Sequence, residues 1–176
     1  DAGLRCADWV THEDGLDREG LVRRLGLPLV VKARAASGAR GTRVVSDAAD
    51  APARLEPGWM AEAWVPGTEM SVEALVAGGV PVFENPTEYL RQGWANVLPA
   101  VLAPATWGRV RDVSRRAIAA LGVVAGMAHV EVFVRDGEVV FGELAARPPG
   151  GYLMELIERV YGFDPWEALV RIALGE

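Results

Sequence analysis

Two glycine-containing turns divide the most apolar stretches of this chain into pairs of short strands. The turns are Ala77-Gly78-Gly79, between residues 69–76 and 80–88, and Asp136-Gly137, between residues 129–134 and 139–144. Turns this short join antiparallel strands, because a parallel neighbour needs a crossover of a dozen or more residues. Helical patterns stand between and after these strand pairs, so the sequence predicts an α+β chain with mostly antiparallel sheets.

The remaining elements follow from hydrophobic spacing and capping residues. Further strands are predicted at residues 29–32, 42–45 and 59–65. Helices are predicted at residues 15–25, 107–121, 152–161 and 165–174, with a brief one at 46–52. Residues 91–96 have no clear period, and we predict a loop there.

Composition excludes several classes of protein. The formal net charge of the 176 residues is −6 and there is no run of Lys or Arg, which argues against a nucleic-acid-binding face. No apolar run approaches the roughly 20 residues that span a membrane, and the single Cys6 suits a reducing compartment. The chain has no signal peptide and no initiating methionine, so we expect a piece of a cytoplasmic protein.

Glu131 and Glu143 lie on the two arms of the second strand pair. A two-residue turn at Asp136-Gly137 would put them on opposite faces, whereas a three-residue loop with Gly137 left-handed puts odd-numbered residues on one face. We predict the three-residue loop. The shared face is then His129, Glu131, Phe133, Val139, Phe141 and Glu143, and the core face is Val130, Val132, Val134 and Val140. Two neighbouring carboxylates suit Mg²⁺, which takes one or two of them with water and phosphate.

Two other segments carry polar groups suited to a nucleotide. Lys32 ends an apolar strand and precedes Ala35-Ala-Ser-Gly-Ala-Arg-Gly41, where small residues let backbone N–H groups approach phosphate. The alternative is an ordinary flexible loop, since the glycine spacing matches neither a Walker A loop nor a Rossmann fingerprint. Glu62 and Glu69 flank the Pro66-Gly67 break, where they can accept hydrogen bonds from a ligand or simply lie in solvent at a strand edge.

The other polar residues favour structural roles. His129 is predicted to position a neighbour by hydrogen bonding rather than to bind metal. No Ser/His/Asp or Cys/His arrangement typical of nucleophilic catalysis is present, because Cys6 lies near the terminus.

Taken in order and spacing, these segments resemble an ATP-grasp ligase over nearly the whole chain. The phosphate-binding strand and loop of that family is similar to Leu27–Lys32 with Ser37–Gly41. The segment that links the family's two lobes and grips the nucleoside is similar to Ala61–Glu69. The metal-binding hairpin is similar to His129-Val-Glu131 and Gly142–Arg147.

The resemblance implies an architecture and a reaction. A small lobe at residues 1–65 and a larger one at 66–176 would hold ATP between two antiparallel sheets, with helices outside. Such ligases phosphorylate a carboxylate with ATP and let an amine displace the phosphate, so the expected partners are small-molecule carboxylates and amines, with no nucleic acid and no membrane. A homodimer is compatible with this architecture.

The resemblance also assigns a role to each candidate residue. Phosphates would be held by Lys32, Ser37, Gly38, Arg40 and Gly41. The nucleoside would be held by Glu62, the backbone of Ala63 and Val65, Glu69 at the ribose and Phe133 under the base. Glu131 and Glu143 would carry Mg²⁺, for which Mn²⁺ can substitute, and Arg147 would be the catalytic residue that stabilises charge on the transferring phosphoryl group.

The sequence departs from the family pattern in two respects. Ala145 stands where the family often has an asparagine, which puts a second metal in doubt. The family's N-terminal lobe is absent from these residues, so the fragment alone is expected to be weak or inactive.

Val97–Ala100, with Arg147–Gly151, resembles the amino-acid ligase branch of the family. The alternatives are a biotin-carboxylase-like or purine-biosynthetic carboxylase-like enzyme, or a nucleotide-binding module without catalysis.

Overall fold

The computed structural model describes residues 2–36, 40–91 and 95–176, which form two compact units. The smaller unit is Ala7–Val65. The larger is Pro66–Glu176 together with the segment that ends at Cys6. The sequence placed that first segment in the small lobe, but the Phe141 N–H donates to the carbonyl of Arg5 at 2.8 Å, which ties the segment to the larger unit.

The smaller unit is a four-stranded antiparallel sheet with one helix. Its strands are β1 (Trp9–Thr11), β2 (Leu29–Ala33), β3 (Arg43–Val45) and β4 (Trp59–Ala63), in the order β1-β4-β2-β3. Helix α1 (Arg18–Leu25) begins where the Asp17 carboxylate accepts from the Gly20 N–H at 2.9 Å. It buries Leu21 and Leu25 in the core of this unit.

The larger unit is built on a five-stranded antiparallel sheet, in the order β7-β6-β5-β8-β9. Its strands are β5 (Thr68–Ala77), β6 (Val80–Arg91), β7 (Ala95–Val97), β8 (Gly126–Arg135) and β9 (Glu138–Ala145). Its helices are α2 (Pro104–Ala120), α3 (Leu153–Tyr161) and α4 (Pro165–Leu174). Gly78 and Gly79 join β5 to β6 with φ of 58° and 78°, as the glycine pair predicts.

The two faces of this sheet differ in polarity. One face buries apolar residues of β5 and β8 against α2, with Val72 and Val130 beside Val110 and Ile118. The other face is polar along the middle of its strands, and apolar residues from α3 and α4 cover only one end of it. A polar stripe with one open end gives this sheet face room for a ligand site.

The predicted α+β class with antiparallel sheets is confirmed. Two predicted elements differ from the structure. Residues 95–97 form the edge strand β7, whose three residues are too few to display an alternating pattern. The helix predicted at 46–52 is a single 3₁₀ turn at Ala48–Asp50. Within the described ranges, no helix is long and apolar enough to cross a membrane.

Candidate functional site

The β8–β9 hairpin brings Glu131 and Glu143 directly opposite each other, but not by the predicted route. The turn is the two-residue Asp136-Gly137, with φ of 52° and 79°, so the three-residue loop is wrong. Arg135 pairs with Glu138, and this register would put Glu131 opposite Gly142. A bulge between Glu131 and Val132 shifts the pairing by one residue and restores the carboxylate pair.

On the two sides of the bulge, the side chains of the hairpin follow different alternations between the two faces of the sheet. Beyond it, His129 stands opposite Ala145 and Glu131 opposite Glu143, as predicted. Nearer the turn, Phe133 shares its face with Val140, whereas Val139 and Phe141 turn towards the core. The prediction that these last two residues line the site face is therefore wrong, because it assumed one uninterrupted alternation.

Pairing with β5 adds a further predicted residue to the same face. Glu69 lies opposite Phe133, and Ser71 lies opposite Glu131. Residues directly opposite in an antiparallel pair point to the same side of the sheet. The larger unit therefore groups four of the predicted site residues on one sheet face: Glu69, Glu131, Phe133 and Glu143.

His129 links this face to a buried polar network. Its side chain is 6% exposed, with Nδ1 3.1 Å from Glu73 Oε1 and Nε2 3.2 Å from Glu131 Oε1. Burial alone would lower the pKa of His129, but the hydrogen bonds to Glu131 and Glu73 outweigh it and raise the pKa to about 9. The imidazolium can donate one N–H to each carboxylate, so His129 holds Glu131 in place, as its predicted positioning role requires.

The sequence analysis missed the rest of this network. Its members on β5 and β6 are Ser71, Glu73, Asn85, Thr87 and Tyr89. Burial raises the pKa of the Tyr89 hydroxyl, so it stays an O–H donor, to Ser71 Oγ at 3.0 Å. One signal could have revealed part of the set: Ser71 and Glu73 lie two apart on β5, whose alternate residues are apolar. On β6 the alternate residues include Glu84 and Glu88, so that strand gives no such signal.

In the smaller unit, Lys32 and Glu62 form an ion pair. Lys32 Nζ lies 2.9 Å from Glu62 Oε1, and each side chain is about a quarter exposed. The ladder places Val30 opposite Glu62 and Lys32 opposite Met60, so the pair spans neighbouring positions on one face of the sheet. The two residues assigned to phosphate and adenine therefore hold each other here.

The other nucleoside and phosphate candidates are distributed along the same unit. Gly41 has φ of 79° and lies so close to Trp59 that an added Cβ would be 3.2 Å from its ring. Arg40 is exposed, whereas Ser37 and Gly38 lie outside the described residues. The Ala63 N–H donates to Asp8 O at 2.8 Å, so this predicted backbone donor already has a partner within the unit.

The donor set around Glu131 fits a hard cation. Carboxylate oxygens are the ligands that Mg²⁺ prefers, and two of them leave positions for water and phosphate. No group of three or more His, Cys, Asp or Glu residues arranged for metal occurs in the part of the chain that the structure describes. Arg147 follows β9, is exposed, and donates to the carbonyl of Pro148 at 2.9 Å.

Comparison with known protein families shows which family this chain belongs to. The model of the ATP-grasp domain matches residues 1–152. The chain belongs to the ATP-grasp family. The resemblance drawn from the order of the motifs is thus confirmed, as is the ATP-grasp fold.

Two curated ligases are similar to this chain in sequence. The chain is 32% identical to a D-alanine–D-alanine ligase A of Chromobacterium violaceum, over 84% of this chain and 47% of the relative. It is 22% identical to an L-arginine-specific L-amino acid ligase of Bacillus subtilis, over 98% of this chain and 46% of the relative. This ATP-grasp chain therefore spans about half the length of the curated relatives it matches.

One solved structure shows how widely the fold is shared. The crystal structure of N5-carboxyaminoimidazole ribonucleotide synthetase from Thermotoga maritima superposes with a TM-score of 0.79 at 20% identity, over 99% of this chain and 45% of that chain. At this identity the likeness concerns the fold alone.

Proposed function

We propose that this ATP-grasp chain is part of an ATP-dependent ligase that activates a carboxylate as an acyl-phosphate for attack by an amine, with amino acids as substrates. The observation that carries the proposal is the pairing of Glu131 with Glu143 on the sheet face that also holds Phe133 and Glu69. Two carboxylates can hold a metal on the phosphates, the Phe133 ring can pack against a base, and Glu69 can accept a hydrogen bond from a ribose hydroxyl, so the set suits a nucleoside polyphosphate.

The proposed reaction gives each group of candidate residues one task. Glu131 and Glu143 would hold Mg²⁺, which would supply positive charge to neutralise the polyphosphate. His129 holds the Glu131 carboxylate in one orientation. Lys32 exchanges its partner Glu62 for phosphate oxygens, which frees that carboxylate for an amino group. Arg147 stabilises the negative charge on the transferring phosphoryl group, because a guanidinium can donate two N–H bonds that match the geometry of a phosphate.

The choice of amino acids as substrates is supported by the two curated relatives, both of which are named as ligases of amino acids. The carboxylase alternative is supported by the fold alone, through the ribonucleotide synthetase. A binding module without catalysis has no need of the paired glutamates, so their presence favours an enzyme. A cytoplasmic location and a homodimer stay predictions.

The test is a phosphate-release screen of the full-length protein with ATP, Mg²⁺ and amino acids singly and in pairs. We expect release that depends on a pair, because the acyl-phosphate turns over only when an amine displaces its phosphate. Release that needs bicarbonate or a purine precursor instead contradicts the amino-acid assignment. Mg²⁺-dependent ATP binding without release under any condition would favour the non-catalytic module.

A further inference from the structure

Glu73 is a charged residue on the polar face of the sheet in the larger unit. Its side chain has no exposed surface, and it lies on β5 between Val72 and Ala74, both fully buried. Burying a carboxylate is costly unless every oxygen is bonded, and an apolar residue of similar volume is usually tolerated at least as well. Packing therefore does not account for a glutamate at this position.

Both carboxylate oxygens of Glu73 are bonded to side chains. Oε1 accepts from Ser71 Oγ at 2.5 Å and lies 3.1 Å from His129 Nδ1. Oε2 accepts from Asn85 Nδ2 at 2.8 Å and from Thr87 Oγ1 at 2.5 Å. Four partners on three strands hold the carboxylate in one orientation, so it can act as a fixed point for the histidine ring.

The ring of His129 lies between the carboxylates of Glu73 and Glu131, so the orientation of Glu73 affects that of Glu131 through the ring. Glu73 lies directly opposite His129 in the β5–β8 ladder, and the small Ala145 lies opposite His129 on the other side. One ring nitrogen faces Glu73 and the other faces Glu131 Oε1 at 3.2 Å. The chain of contacts Glu73–His129–Glu131 begins in the core and ends at a proposed metal ligand.

We propose that Glu73 is a positioning residue for the metal site, acting through the ring of His129 on the carboxylate of Glu131. This inference rests on the proposed function, because it takes Glu131 as a metal ligand. Partners of metal ligands typically change metal affinity by about 10- to 100-fold when they are removed. Glu73 itself makes no contact with the metal or the substrate.

The experiment compares two changes that remove different bonds from the same network. Glu73→Gln removes the charge that faces His129, whereas the control Thr87→Val removes a bond to the other carboxylate oxygen. The dissociation constant for Mn²⁺ is measured by the free-ion electron paramagnetic resonance signal, with and without a non-hydrolysable ATP analogue. The proton on Nδ1 of His129 is followed by NMR in the metal-free protein, which reports on the ring alone.

We expect Glu73→Gln to weaken Mn²⁺ binding about tenfold and to shift or broaden the Nδ1 proton signal. Thr87→Val should change Mn²⁺ binding less than threefold at a similar loss of thermal stability, and Glu73→Gln added to His129→Gln should have no further effect. Equal weakening by Glu73→Gln and Thr87→Val, or an unchanged Mn²⁺ affinity in Glu73→Gln, overturns the proposal.

Two controls separate this inference from the proposed function. If Mn²⁺ binds the wild type and Glu143→Ala abolishes binding, the metal site stands and Glu73→Gln tests the positioning role alone. If the wild type binds no Mn²⁺ even with the ATP analogue, the metal site and the positioning role both fail. Should Glu73→Gln not fold, His129→Gln replaces it, and an unchanged Mn²⁺ affinity in that variant overturns the proposal.

Discussion

The ion pair between Lys32 and Glu62 shows how two residues with separate expected roles are coupled before a ligand binds. Lys32 is the only lysine in the chain, and its amine lies 2.9 Å from the Glu62 carboxylate. About a quarter of each side chain is exposed, so solvent and ligands can reach the pair. A phosphate oxygen that replaces Glu62 would give Lys32 a new ionic partner, which suits a residue that binds and releases nucleotide.

Lys32→Met is expected to weaken ATP binding by about tenfold or more, the effect of one charge-assisted hydrogen bond. Binding of adenosine should change little, because that ligand has no phosphate. Calorimetric titration with the two ligands measures the difference. Arg24→Met, which removes a comparable exposed cation paired with Asp8 in the same unit, is the control. An equal loss for ATP and adenosine would contradict the phosphate role.

Glu143→Ala is expected to abolish Mg²⁺-dependent ATP binding while the protein stays folded, because Glu143 is exposed and its removal leaves no cavity. Titration with and without Mg²⁺ measures the binding, and circular dichroism checks the fold. Glu158→Ala, at an exposed position of α3, serves as the matched control. Unchanged ATP affinity in Glu143→Ala would show that Glu143 is not part of the metal site.

At the scale of elements, the β8–β9 hairpin marks what the sequence could and could not predict. Alternation and the Asp-Gly pair predicted both strands and their pairing. The neighbouring glutamates were predicted through a three-residue loop, whereas the structure brings them together by a bulge. The bulge left no signal in the hydrophobic pattern, because it depends on local backbone geometry at Gly142. Glu73 was also missed: its charge is satisfied by four side chains far apart in sequence, and only the folded sheet brings them together.

Gly142→Ala tests the bulge. An added Cβ would lie 3.1 Å from the Glu131 carbonyl oxygen and 3.2 Å from Phe133 Cε2, so one of them must move. We expect a loss of stability of about 1 kcal/mol, within the usual range for overpacking, and weaker Mg²⁺-dependent ATP binding. Denaturant unfolding measures the first effect. Gly108→Ala in α2, where an added Cβ meets nothing, should be neutral or stabilising.

Gly67→Ala tests the break before β5. Gly67 has φ of 148°, and a Cβ there would lie 2.8 Å from the carbonyl oxygen of Val134. Backbone atoms of a central strand cannot yield easily, so we expect a destabilisation of about 1–3 kcal/mol. A shift of the denaturant midpoint measures it. A wild-type midpoint in this variant would show that the start of β5 adapts, contrary to the close approach seen here.

At the scale of the whole molecule, stability should depend on the protonation of His129. Its pKa rises from 6.5 to about 9 on folding, so its contribution to stability is fully present below pH 6.5 and is lost as the pH rises through about 9. Denaturant unfolding of metal-free protein across this range measures the effect. His129→Gln should lack this part of the pH dependence, and parallel curves for both proteins would contradict the raised pKa.

An isotope experiment tests most directly whether ATP activates a carboxylate as an acyl-phosphate. The carboxylate of the amino acid that supports phosphate release is labelled with ¹⁸O, and the released phosphate is analysed by mass spectrometry. Attack of the carboxylate on the γ-phosphorus makes a carboxylate oxygen the bridging atom, and attack of the amine on the acyl carbon expels it with phosphate. One ¹⁸O in the released phosphate is the predicted result. Unlabelled phosphate, or label in AMP, would contradict the acyl-phosphate and with it the proposed function.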